Sequence, residues 1–183
     1  MTGGCSDPAA MDAFSRALAL AKQGDIQSMH DVGVMYETAE GTRRDCDEAV
    51  FWYEQAAERG FVGSMINLGV LYTFDNCIEA DPEREIYWFR LAADAGDAQG
   101  MLNVGVMYAV GRGVEQDFGA AMSWYMKAAE IGDMYAMHNI GWMFAEGEGV
   151  EGDEAVAIDW MQQSARLGYG PAREWLRGRE LDW

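Results

Sequence analysis

The stretch GMLNVGVMYAVGRGV, residues 100–114, sets Gly105 in the middle of an apolar segment of helical period. A glycine inside a helix costs about 1 kcal/mol relative to alanine, so its presence calls for a compensating contact. The same segment recurs along the chain, as SMHDVGVMYET from Ser28, SMINLGVLYTF from Ser64 and AMHNIGWMFAE from Ala136. Gly33, Gly69, Gly105 and Gly141 therefore stand one every 36 residues. A second ladder of that period runs through Gly24, Gly60, Gly96, Gly132 and Gly168, and a third through Trp52, Trp88, Trp124 and Trp160. Self-similarity at a fixed period of this size marks stacked supersecondary units that bury their apolar faces only against neighbours.

Each unit offers two apolar stripes separated by a turn. In the third, Met101, Val104, Met107 and Tyr108 fall at spacings of three and four, which is one face of a helix; this is helix A. In the following GRGVEQD, Gly111 and Gly113 allow positive φ, and Asp117 caps the next helix by accepting from its free N–H groups. Asp45, Asp81 and Asp153 share that phase, and Pro82 and Glu83 suit the first turn that follows. Helix B then runs FGAAMSWYMKAAEIG, with the small pair Ala128 and Ala129 near its end and Gly132 as a left-handed stop. Equivalent pairs are Ala56 with Ala57, Ala92 with Ala93 and Ser164 with Ala165. Gly105 then reads as the place where helices A and B approach, with the Trp ladder expected to supply the ring opposite it.

The organisation expected is a single all-α repeat domain over 1–183. It has an N-terminal capping helix at 8–24, helix A/B repeats at 28–60, 64–96, 100–132 and 136–168, and a C-terminal capping helix at 171–183. In the capping helices Arg16 takes the Trp phase and Arg177 the glycine phase, as expected where a stack meets water. The second repeat departs from the others, since FDNCIEADP replaces the paired loop glycines and puts Cys77 at the phase of Gly41 and Gly113.

With 13 Lys and Arg against 31 Asp and Glu, the net charge of −18 argues against binding a phosphate backbone, which needs clustered basic residues. Nucleic acid is not an expected partner. The acidic excess reads either as a solvated surface or as steering of a basic partner. No apolar run is long enough to cross a bilayer, and MTGGCSDPAAMDA lacks a basic start followed by an apolar stretch. As written the chain reads as cytoplasmic; an exported chain given a new initiator Met would read the same way. Cys5, Cys46 and Cys77 match neither CxxC pairs nor a regular bridge per repeat. Reduced cysteines without chemistry are the first reading, and a single Cys46–Cys77 bridge between connections of successive units is the alternative.

Chemistry-bearing constellations are sparse. His30 and His138 lie three repeats apart, and neither has a second ligand at zinc-like spacing, so no metal is expected. No serine is followed by Lys three residues on, which leaves out one serine-nucleophile signature. The pairs Glu83 with Glu85 and Asp153 with Glu154 sit in first turns, where they favour the helix dipole. No catalytic residue and no cofactor are expected.

The segments VGVMY…GVEQDFGAAMSWYMKAAEIG, IGWMF…GEGVEGDEAVAIDWMQQSARLG and VGVMY…DEAVFWYEQAAERG resemble Sel-one-like repeats, a branch of the tetratricopeptide-like helical repeats. The resemblance runs from about residue 28 to 168. The cysteine-rich members of the family carry a regular disulfide in each repeat, a pattern this chain lacks. The resemblance implies a right-handed α-α superhelix acting as a protein–protein adaptor, with helices A lining a concave groove that holds a peptide or protein segment. By similarity to the tetratricopeptide pattern, Asp31, Asn67, Asn103 and Asn139 face that groove. An Asn there either reads a peptide main chain, offering both donor and acceptor, or bonds one repeat to the next. Beside this ladder lie His30 and His138, and Trp142 stands where other repeats hold Val34, Val70 and Val106. Tyr135, His138 and Trp142 have the composition of an interaction hot spot, the alternative being that Trp142 packs on the terminal helix. The function expected is a non-enzymatic binding module; the alternative is a small-molecule-binding or hydrolytic protein using the same groove.

Overall fold

A computed structural model describes residues 7–74 and 77–183; Cys5 and the start of the chain lie outside the described residues. The described residues form ten α-helices and no strand. They divide into two compact units, Met1–Ala95 and Gly96–Trp183. In the first, α1 (Pro8–Lys22) is followed by the hairpins α2 (Ile26–Thr38) with α3 (Cys46–Ala57), and α4 (Val62–Leu71) with α5 (Pro82–Asp94). In the second, α6 (Ala98–Val110) pairs with α7 (Phe118–Glu130) and α8 (Met134–Glu146) with α9 (Glu154–Arg166), before α10 (Gly170–Arg177). Even-numbered α2 to α8 are A helices and odd-numbered α3 to α9 are B helices.

The helix boundaries follow from capping chemistry. Asp45, Asp81, Asp117 and Asp153 each accept a hydrogen bond from the first turn of their B helix. Asp25, Asp97 and Asp133 do the same for A helices, but α4 and α10 begin at Phe61 and Tyr169 with no side-chain cap. Gly111 closes α6 in the left-handed region, at φ 71°. The second repeat is different here: α4 has 10 residues where the other A helices have 13, and ends on Tyr72 in a right-handed conformation. The last helix stops at Arg177, short of the expected 183.

Each A helix meets the B helix of its own repeat at the glycine, but the ring opposite is not the tryptophan. A Cβ added to Gly33 would lie 2.6 Å from the Tyr53 ring, one at Gly105 2.5 Å from the Tyr125 ring, and one at Gly69 against Phe89. At Gly141 the neighbours are Met161 Cγ at 3.1 Å and the Ala157 carbonyl oxygen at 3.2 Å. The partner is thus the residue after each Trp. One residue turns the side chain about 100° around a helix, so the tryptophan next door points elsewhere. Trp52 clusters with Ala21, Met29 and Val32 of α1 and α2, and Trp88 with Ala57 and Met65 of α3 and α4. Both join the A helix of their own repeat to the helix that precedes it. Trp124 is half-buried and carries the Lys127 ammonium 3.9 Å from its ring centroid.

Cys46, the first residue of α3, and Cys77, in the α4–α5 connection, form a disulfide across a sequence separation of 31. This corrects the reading of both as reduced thiols. The bridge holds the connection that lacks the loop glycines.

Two stability measurements test this account. Gly105→Ala is expected to lose about 1–3 kcal/mol more than Gly141→Ala, because Tyr125 is a buried ring whereas Met161 is flexible; both gain the same helix propensity. Equal thermal shifts would show that the ring contact does not set the fold. Replacing Cys46 and Cys77 together by serine should cost about 2–4 kcal/mol in denaturant titrations without reductant. An unchanged midpoint would mean that the bridge contributes nothing.

Candidate functional site

In the first unit, the polar positions of the A helices are tied into the packing. Asp31 accepts from Gln27 Nε2 at 2.8 Å, one turn earlier on α2. The Tyr53 hydroxyl donates to Glu37 Oε2 at 2.7 Å and is also reached by the Asn67 side chain. Burial and the Glu37 carboxylate push the Tyr53 hydroxyl well above the ordinary phenol range. Asn67 therefore links the second repeat to the B helix of the first. In the second unit Asn139 stands beside Tyr125, and burial pushes the Tyr125 hydroxyl up to about 12. Asn103 is half-buried on α6 and stands fourteen residues after Phe89, which has no hydroxyl to offer.

The two histidines also have packing partners. His30 Nδ1 and Ser64 Oγ share a hydrogen bond of 2.9 Å, and the imidazole lies 4.6 Å from the Phe61 ring and 5.5 Å from Tyr53. His138 lies 5.0 Å from Tyr169. Phe61 and Tyr169 are the two residues that stand in place of an Asp cap, each 31 positions after its histidine. The repeats with Ile66 and Leu102 instead have Asp97 and Asp133. Imidazole and aromatic ring are thus exchanged together. Burial holds both histidines below the ordinary imidazole pKa, outweighing nearby groups that favour the cation.

On α8, Tyr135 and Trp142 remain 45% and 43% exposed, flanking half-buried His138 and Asn139. Tyr135 contacts Tyr169 edge-on at 4.9 Å, and the Trp142 ring lies 6.4 Å from His138 at an interplanar angle of 24°. Beside Trp142 is a depression of about 210 Å³ lined by Val106 and Val110 of α6, Tyr125, Asn139, Met143 and Glu148. Val106 and Val110 are 38% and 62% exposed. Sequence reasoning reached Val106 through the valine ladder but missed Val110, Glu148 and Tyr169. Val110 follows Val106 by one helical turn, and Tyr169 is visible as an aromatic at a cap phase. Glu148 has no periodic signal, because it enters through the loop after α8.

Among the described residues no group of three or more His, Cys, Asp and Glu side chains is arranged to hold a metal ion. Nor is any described helix long and apolar enough to cross a membrane.

A protective antigen of uropathogenic Escherichia coli strains, whose crystal structure displays an SLR fold, is 36% identical with a TM-score of 0.82, over 89% of this chain and 34% of that one. The chain thus spans about a third of that antigen's length. A Sel1 repeat protein from Oxalobacter formigenes is 28% identical with a TM-score of 0.80, over 91% of this chain and 68% of the other. Cysteine rich protein B of Helicobacter pylori shares the fold at 22% identity and a TM-score of 0.58, over 73% of this chain and 96% of its own. No curated protein matches the sequence. The Sel1 repeat matches at residues 26–61, 62–97, 98–133 and 135–169, most of the chain, and the protein belongs to the Sel1 repeat family.

Proposed function

We propose that the chain is a protein-binding module whose A helices receive an extended peptide or protein segment, with α6 and α8 as the principal contact. Sel1-repeat proteins generally mediate protein–protein interaction, and the fold is typically a non-enzymatic scaffold. The observation that carries the finer reading is the group of large apolar side chains left in water on two adjacent A helices: Val106 and Val110 on α6, Tyr135 and Trp142 on α8. Scattered exposed apolar residues need no explanation, but Val106, Val110 and Trp142 gathered around one depression are what a binding surface offers. Trp and Tyr supply large contact area at low cost in side-chain entropy.

Polar readout belongs to Asn103, which follows a phenylalanine at the phase where Asn67 and Asn139 follow a tyrosine. Its donor and acceptor suit a peptide main chain. His30, Asp31 and Asn67 extend the same phase in the first unit, where their packing bonds leave them the lesser part of the contact. The net charge of −18, with Glu148 at the rim of the depression, favours a basic segment and speeds its encounter.

Affinity capture with the wild type, Trp142→Ala and Asn103→Ala, read by mass spectrometry, tests this assignment. The wild type should retain a partner that Trp142→Ala loses and Asn103→Ala holds more weakly, with association slowing as salt rises. A partner retained equally by all three proteins would place binding elsewhere. An association rate indifferent to ionic strength would remove the basic character of the segment.

A further inference from the structure

The B helices of the first unit carry exposed rings of their own. Phe51 on α3 and Tyr87 on α5 share one phase and are 49% and 55% exposed, whereas that phase holds Ser123 and Asp159 in the later repeats. Each ring meets the buried tryptophan beside it edge-on, Phe51 with Trp52 at 5.2 Å and Tyr87 with Trp88 at 5.1 Å. A cavity of about 410 Å³ opens there, lined by Glu54, Glu58, Met65, Tyr87, Trp88 and Leu91 among others. Its wall is apolar and aromatic, and two carboxylates one helical turn apart stand over it.

Neither carboxylate forms an ion pair among the described residues. Burial pushes the Glu54 carboxyl up and Glu58 adds to the effect, with Arg84 acting in the opposite sense. The Arg84 guanidinium donates to the Tyr72 hydroxyl, lies 5.3 Å from the Tyr72 ring centroid, and acts on Glu54 only through its charge. Elsewhere the protein supplies its own cation to a half-buried tryptophan ring: Lys127 lies 3.9 Å from the centroid of Trp124, and Arg179 3.7 Å from that of Trp175. The phase of Lys127 holds Leu91 at this cavity. Negative charge and aromatic surface are present here without the cation that accompanies Trp124.

We propose that this cavity receives an arginine side chain from a protein partner, with the guanidinium held by Glu54 and Glu58 and its stem along Tyr87, Met65 and Leu91. Arginine fits better than lysine because its planar guanidinium both stacks on an aromatic ring and presents a fork of donors to carboxylates. Its aliphatic stem covers the apolar wall as a lysine stem would, so the guanidinium makes the difference. The site does not depend on the α6 and α8 assignment, so the two stand or fall separately.

The test is a titration of isotope-labelled protein with the capped tripeptide N-acetyl-Gly-Arg-Gly-amide, followed by NMR. Saturable shifts are expected at Tyr87, the Trp88 indole and the Met65 methyl. Glu54→Gln and Glu58→Gln, near-isosteric changes at the surface whose folding is checked by melting, should each weaken binding by about fivefold. Glu151→Gln, an equal change of charge in the second unit, should leave it unaltered, and a norleucine tripeptide should give no shifts. Shifts spread over the acidic surface, or binding indifferent to Glu54→Gln, would overturn the proposal. Spermine moving the same resonances as strongly as the arginine peptide would assign the cavity to free amines and overturn it as well.

Discussion

The structure depends on how closely two helices of one repeat can approach. A tyrosine or phenylalanine ring of the B helix lies flat against the A helix where Gly33, Gly69 and Gly105 have no side chain, so ring and backbone share space that a Cβ would occupy. That contact fixes the rotation of both helices about their axes. Once it is fixed, the residue before the ring points about 100° away, and Trp52 and Trp88 are delivered to the seam between their own A helix and the helix before it. One residue closes the hairpin and its neighbour stacks the hairpins. The glycine's cost in helix propensity is offset by the buried ring it admits.

This division explains why the ladders differ in strictness. The ring position accepts Tyr53, Phe89, Tyr125 and Met161, because any long side chain fills the gap and the flexible methionine needs the least exact fit. The tyrosines bring a hydroxyl that must be satisfied when buried, and Tyr53 donates its own to Glu37 of the A helix it packs on. Where the ring is Phe89 that demand is absent.

Periodicity made the helices, their pairing and most caps legible, since these repeat and the copies confirm one another. The tryptophan was misassigned to the glycine for a physical reason: Trp52 and Tyr53 are adjacent and both buried, and a period of 36 cannot tell which of two neighbours turns inward. The Cys46–Cys77 bridge was not decided by spacing, because it spans two repeats and ends in a connection that lacks both loop glycines. The depression beside Trp142 draws on α6, α7, α8 and a loop. No single stretch of sequence contains it.

A departure from the period is not by itself a sign of function, and the histidines show why. His30 and His138 break the apolar ladder of Ile66 and Leu102, yet each is balanced by an aromatic ring where other repeats place an aspartate cap. Two exceptions cancel in one packed pair. Trp142 breaks the valine ladder without such a balance: it shares a loose stacking distance of 6.4 Å with His138 and remains 43% exposed. The same holds for Tyr87, whose ring touches its own tryptophan and then faces water beside two unpaired carboxylates. A large aromatic side chain that neither the repeat nor its own neighbours bury carries apolar surface whose exposure is unfavourable by about 25 cal/mol per Å². Folding leaves that contribution unrealised, and association with another molecule is the remaining way to obtain it.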